Sequence, residues 1–256
     1  MIHVRQLTKS YKDGNDGEFV ALGGISFDSM PGQVFGLLGP NGAGKSTALR
    51  ILSTILKPTS GTAIINGIDV VQFPEQIRRQ IGFVSVNTAI YDRMTAWEMV
   101  HLFGRLNGIP DEKLLSRMEN LFDRFQMQDF RGILGSKLST GMRQKVSIAR
   151  ALIHDPPVLI FDEATSGLDI VAAREVFRTI ERLRDQGKCI IYSSHIMSEV
   201  ERLCDQIAIL HRGRILLQGP LDRLLSQFGD QNLEEIFFDL ITLPEHHQPA
   251  ESGACS

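Results

Sequence analysis

The chain has 256 residues, with 27 Lys and Arg against 30 Asp and Glu, a formal net charge of −3. That length allows one large domain or two small ones, and the near-neutral balance excludes a basic binder held by counterion release, so no nucleic-acid partner is expected. No strictly apolar run exceeds four residues, against about 20 for a membrane span; with no apolar leader and no paired spacing among Cys189, Cys204 and Cys255, a soluble, cytoplasmic chain is expected.

Short β-like runs alternate with helical ones, so the expected class is α/β with a mainly parallel sheet. The runs IHVRQL and FVALGGISF, joined by a Gly- and Asp-rich loop at 13–17, predict a small antiparallel layer beside the main sheet. Val34–Leu38 is a compact apolar strand. Residues 45–56 follow it with Ala48, Ile51, Leu52 and Ile55 at helical spacing. In the middle, Thr95-Ala-Trp-Glu98 reads as a capping box, with Met99, Leu102, Phe103 and Leu106 at helix period behind it. Leu114, Met118, Leu121, Phe122 and Phe125 form a second stripe, and both stripes are most simply packing faces. Residues 87–150 are therefore expected to be a helical insertion.

Residues 142–153 are predicted helical and stopped by Asp155-Pro156-Pro157. Val158–Phe161 is a buried strand, 170–186 a helix, and 189–193 and 207–210 further strands, with 214–218 pairing back through His211-Arg-Gly213. Leu233, Ile236, Phe237, Leu240 and Ile241 predict a short amphipathic helix. A single domain over 1–241 is expected, with 242–256 as a disordered tail. The adjacent pair His246-His247 lacks helical ligand spacing, and Cys189 is expected in the core rather than reactive.

Gly39-Pro40-Asn41-Gly42-Ala43-Gly44-Lys45-Ser46 fits G-x-x-x-x-G-K-[ST] between a strand and a helix, the context that motif requires. Glycines let backbone N–H groups surround a β-phosphate, and the helix N-terminus adds partial positive charge. Lys45 can bridge β- and γ-oxygens, and the Ser46 hydroxyl can ligate Mg²⁺. The apolar strand then ends in Asp162-Glu163. Asp162 is placed to hold Mg²⁺ through its water shell, and Glu163 to orient or deprotonate the attacking water.

Leu138-Ser139-Thr140-Gly141-Met142-Arg143-Gln144 resembles the LSGGQ signature of ATP-binding cassette proteins, with Thr140 and Met142 as departures and Ser139 and Gly141 as matches. Ser166-Gly167-Leu168-Asp169 resembles that family's D-loop. His195 resembles its switch histidine, and Tyr11 the aromatic that stacks on adenine. The resemblance covers about residues 2–241. It implies a nucleotide-binding core carrying a β subdomain and a helical subdomain, with ATP and Mg²⁺ bound by Tyr11, residues 39–47 through Thr47, and Asp162. It also implies catalysis by Lys45, Glu163 and His195, and a second subunit, most simply a copy of this chain, whose nucleotide Ser139, Gly141 and Asp169 contact.

The family's Gln at the junction to the helical subdomain falls on Val86 here, with Ser85 and Asn87 as neighbours that could substitute; a changed coupling of hydrolysis is expected. The resemblance is to exporter ATPases at the cytoplasmic face of a membrane, working through a separate transmembrane permease. Among them the chain is most similar to the sodium-efflux type, with drug or lipid export open. Two alternative readings fit the residues less well. In a ribosome- or DNA-acting cassette, long coiled coils or a second cassette are expected, whereas Lys45 and Asp162 lie 117 positions apart (162 − 45) in a chain with one phosphate loop. A catalytically silent regulator would lack the water-activating acid, but Glu163 is present.

Overall fold

The computed structural model describes residues 1–13, 17–85, 89–229 and 231–242. In chain order, β1 (Ile2–Asp13), β2 (Gly17–Ser29) and β3 (Gln33–Leu38) lead into α1 (Lys45–Leu52). Then come β4 (Ser60–Ile65), β5 (Ile68–Asp69), α2 (Pro74–Arg78) and β6 (Ile81–Ser85). The helical segment holds α3 (Ala96–Leu106), α4 (Asp111–Arg124), two short 3-10 turns and α5 (Thr140–Leu152). The chain closes with β7 (Val158–Asp162), α6 (Ile170–Asp185), β8 (Cys189–Ser194), α7 (Met197–Leu203), β9 (Gln206–His211), β10 (Arg214–Pro220), α8 (Leu221–Gln227) and α9 (Leu233–Thr242).

Two sheets result. The expected antiparallel layer has four strands in the order β2-β1-β4-β5. The main sheet runs β10-β9-β3-β8-β7-β6; its strands are parallel except β10, which pairs antiparallel with β9 as the sequence predicts. Both faces of this sheet are covered, which is why its strands read as continuous apolar runs. Alternate residues face opposite cores: Val34, Leu38, Leu159, Phe161, Ile190 and Tyr192 pack toward α5, α6 and α7, whereas Phe35, Leu37, Ile160 and Ile191 pack toward α1 and the small sheet.

Register sets the position of the site. Leu38 pairs with Ser194, Ser193 with Asp162, and Asp162 with Ser85. The carboxyl ends of these four strands therefore finish level, so Gly39, Glu163 and His195 leave the sheet along one edge. In an open α/β sheet that edge is where ligands bind.

The helical insertion sits between β6 and β7, neighbours in the sheet. Its capping box forms: the Thr95 side chain accepts from the Glu98 N–H and the Glu98 side chain from Thr95. Gly104 admits Leu114 so closely that a Cβ there would force the leucine side chain to shift, and the Trp97 and Phe122 rings meet edge to face at 4.9 Å.

Some expectations need correction. Helix α1 ends at Leu52, not 56: Thr54 adopts a left-handed φ of 63°, and the N–H groups of Ile55 and Leu56 both turn back to the Arg50 carbonyl. Ile55, predicted on the buried stripe, is 61% exposed. Leu106, the last residue of α3, is likewise 71% exposed, since it projects into an open groove. Helix α5 starts two residues earlier than predicted, because Ser139 caps it. The second sheet's β4 and β5, and helices α2, α7 and α8, have no counterpart in the sequence reading. The predicted tail lies outside the described residues from 243 on, and with it His246, His247 and Cys255; Thr242 still belongs to α9. Cys189 is buried, its Sγ 3.3 Å from Ser29 Oγ, and burial pushes its thiol pKa up, as suits a core residue.

Candidate functional site

The loop between β3 and α1 forms the floor of a cleft. Asn41, Gly42, Ala43, Gly44, Lys45, Ser46 and Thr47 line it, with Tyr11, Phe19 and Ala21 from the small sheet and Glu163 opposite. The loop depends on its glycines. Gly44 has a φ of 109°, and a Cβ there would sit 2.6 Å from the Ala21 carbonyl oxygen; only glycine permits that approach. Gly39 and Pro40 contribute carbonyls rather than surface: Lys45 Nζ donates to them at 2.7 and 3.1 Å.

Lys45 is 4% exposed. Burial holds its pKa below the usual lysine value, and the Glu163 carboxylate 3.4 Å away opposes the shift. The Glu163 Oε1 atom is also 3.4 Å from His195 Nδ1, so one carboxylate oxygen faces both side chains. The backbone of Glu163 is held in a left-handed conformation, φ 51°, while its N–H donates to Ser193 O at 3.1 Å and Ser193 Oγ at 3.2 Å. Such strain in a non-glycine residue persists only where its surroundings enforce it. Asp162 is buried beside it and its Oδ1 accepts from Ser46 Oγ at 3.2 Å and Ser193 Oγ at 2.7 Å.

The fold thus brings together the cleft residues 41–47, Tyr11, Asp162, Glu163 and His195, drawn from four regions of the chain. It does not bring Ser139, Gly141 or Asp169 to that cleft. Ser139 is the N-cap of α5, accepting from the Met142 N–H at 3.3 Å, and lines a separate cavity with Thr140, Arg143, Gln144 and Ser166. Asp169 caps α6, accepting from Val171 and Ala172 N–H groups at 2.9 Å. Gly141 packs toward Ala172 at the start of α6. Val86 and Asn87, at the expected junction position, lie outside the described residues; Ser85 lines the second cavity.

Two residues of the site escape sequence reasoning. Phe19 is the cross-strand partner of Tyr11 and lines the cleft beside it, a placement that counting outward from the Asp13–Gly17 pairing could have found. Ser193, which joins Asp162 to the Glu163 backbone, carries no local signal.

Comparison with known proteins gives a consistent result. A family model described as "ABC transporter" matches residues 22–166. The ABC transporter ATP-binding protein NatA of Bacillus subtilis is 41% identical over 218 residues, 85% of this chain and 89% of that protein. The Nod factor export ATP-binding protein I of Ralstonia nicotianae is 34% identical, covering 93% of this chain and 73% of that protein. Among solved structures, a dimeric ATP-binding cassette in a post-hydrolysis state with ADP and Pi superposes with a TM-score of 0.78 at 28% identity, over 86% of this chain and 99% of the other.

Proposed function

Because the chain belongs to the ABC transporter family, we propose that it is the ATP-binding and ATP-hydrolysing subunit of an exporter, paired with a second copy and driving a separate membrane permease from the cytoplasmic face. The observation that carries the reading is the convergence of Lys45, Glu163 and His195 at the level strand ends, with Glu163 Oε1 3.4 Å from each of the other two.

The triphosphate takes the cleft, where N–H groups of the loop and of the first turn of α1 supply fixed partial positive charge. Lys45 turns its ammonium from the Gly39 and Pro40 carbonyls to the β- and γ-oxygens. Tyr11 stacks on the adenine. Glu163 takes or orients the proton of the attacking water, and His195 contacts the γ-phosphate from the far side of the same carboxylate. Ser46 and Asp162 offer hydroxyl and carboxylate oxygens, hard donors suited to Mg²⁺ beside the phosphate loop. When bound, the ion neutralises charge on the β- and γ-oxygens.

Ser139, Gly141 and Asp169 lie apart from their own chain's cleft, and we assign them to the nucleotide of the partner copy, consistent with the dimeric relative. No helix among the described residues is long and apolar enough to cross a membrane, so the permease supplies the membrane path. It docks on the groove between the core and the helical insertion, where Ile55, Phe83, Phe103 and Leu106 present apolar surface. Sodium is the cargo we infer, from the resemblance to sodium-efflux ATPases and the similarity to NatA; drug or lipid export is the alternative.

A Glu163→Gln variant tests the core of this reading. It should bind Mg·ATP, lose turnover and accumulate as a dimer. Turnover equal to wild type, or an ATP-loaded variant that stays monomeric both alone and with the permease, would overturn it. Cargo is tested separately by ATP-dependent ²²Na⁺ movement in vesicles holding the complex.

A further inference from the structure

Glu199, in the first turn of α7, has no part in the chemistry above, yet it turns inward. Its Oε2 accepts from the Tyr192 phenol and the Ser194 hydroxyl, both at 2.7 Å. Tyr192 and Ser194 are buried. The phenol's single proton goes to the carboxylate, so its oxygen accepts from Thr165 Oγ1 at 3.1 Å. Ser194 Oγ, by the same logic, accepts from the Ile196 N–H at 3.0 Å. Every bond then has a fixed direction, and one carboxylate oxygen terminates two hydrogen-bond chains.

The far ends of those chains are informative. Thr165 lies in the turn that follows Glu163, closed by Ser166 N–H to the Glu163 carbonyl at 3.0 Å and Leu168 N–H to the Thr165 carbonyl at 3.1 Å. Ile196 directly follows His195. Glu199 therefore ties the loop leaving β7 to the loop leaving β8, and these carry the two side chains that meet at 3.4 Å. Neither Glu199, Tyr192, Ser194 nor Thr165 lines the nucleotide cleft.

We propose that Glu199 is a positioning residue for hydrolysis: through Tyr192–Thr165 and Ser194–Ile196 it sets the placement of Glu163 relative to His195. The proposal rests on the roles given to those two residues above. Misplacing reacting groups by about 1 Å costs on the order of 10²-fold. Glu199→Ala should therefore lower kcat by about 10- to 100-fold, while KM for ATP changes less than about twofold because no cleft contact is lost.

Steady-state hydrolysis by the full-length chain with Mg·ATP, well below each variant's unfolding temperature, makes the test. Glu199→Gln keeps a carbonyl oxygen able to accept both hydroxyls and should recover most of the lost turnover. Tyr192→Phe breaks one chain only and should fall between wild type and Glu199→Ala. A wild-type kcat in Glu199→Ala, a loss matched in KM, or a Gln variant as impaired as Ala overturns the proposal. If the Ala variant does not fold, a wild-type kcat in Tyr192→Phe does so. Glu163→Gln is run alongside. Should it turn over normally, the catalytic reading itself fails; should it be inactive while Glu199→Ala is normal, only the positioning role fails.

Discussion

Replacing Lys45 by methionine separates what this side chain does for the fold from what it does for the reaction. Lys45 makes two charge-assisted hydrogen bonds, to the Gly39 and Pro40 carbonyls. At about 1.5–3 kcal/mol each, they contribute about 3–6 kcal/mol. The ion pair with Glu163, a carboxylate still partly in solvent, adds at most about 1 kcal/mol. Against these stands the desolvation of a buried ammonium, several kcal/mol, which is also the dominant cause of its lowered pKa. The terms nearly cancel, and Lys45→Met should change stability by no more than about 2 kcal/mol, or roughly 4–8 °C in Tm. Catalysis should not be spared. Losing a cationic donor aimed at the transferring phosphoryl group costs at least roughly 3 kcal/mol, about 150-fold in kcat/KM.

The pH dependence carries a further signature of the same residue. The unfolded lysine titrates at its ordinary 10.5 and the folded one lower. Between the two values the unfolded chain binds more protons, so stability rises with pH across that window and levels off above it. Urea unfolding of wild type and Lys45→Met over the alkaline range should show their difference growing with pH. A difference flat in pH, or a kcat/KM loss under tenfold, would refute the reasoning.

Three other outcomes are expected. Tyr11→Ala removes a base stack of about 1–3 kcal/mol, which should appear as a raised KM for ATP with kcat nearly unchanged, while Tyr11→Phe stays close to wild type; steady-state kinetics decide. His154 is kept neutral by burial, its Nε2 hydrogen-bonded to the Ile81 carbonyl at 3.1 Å, and its pKa lies below the usual 6.5. Its contribution is complete above pH 6.5 and is lost as pH falls toward the folded pKa, because there the unfolded chain takes up the proton first; denaturant unfolding from pH 7 to 5 should be less steep in His154→Gln. Thr95→Ala removes the N-cap of α3 and should cost about 1 kcal/mol in urea unfolding, leaving ATP turnover per folded molecule unaltered.

What the sequence reveals of the site follows from how local each feature is. The phosphate loop and the Asp162-Glu163 pair are contiguous, each flanked by the strand that aims it, and both are readable without a structure. Tyr11 and His195 are single residues whose meaning comes only from family resemblance. Ser193 and Glu199 are invisible to either route. Their importance lies in partners 31 residues away for the Ser193–Asp162 bond and 34 for the Glu199–Thr165 link through Tyr192 (193 − 162; 199 − 165), fixed by strand register. The sheet order itself could not be read, since β3 neighbours β8 and β9 rather than the strands nearest it in sequence. Periodicity, for its part, found the longer helices but not the short α2, α7 and α8, and it missed the end of α1 and the start of α5.

Two errors of burial have a common location. Ile55, just past α1, and Leu106, at the end of α3, are the two residues whose apolar pattern predicted burial and whose side chains are well over half exposed. They come from different regions of the chain, yet they line the same groove, with Phe83 and Phe103. A monomer gains nothing from large apolar side chains turned to water. A surface completed by another protein explains the exposure: its apolar residues cover Ile55 and Leu106. If that protein is the permease, Ile55→Asp and Leu106→Asp should leave the isolated chain folded and hydrolysing ATP while abolishing its co-purification with the membrane subunit. Retained co-purification by the doubly substituted chain would place the permease elsewhere.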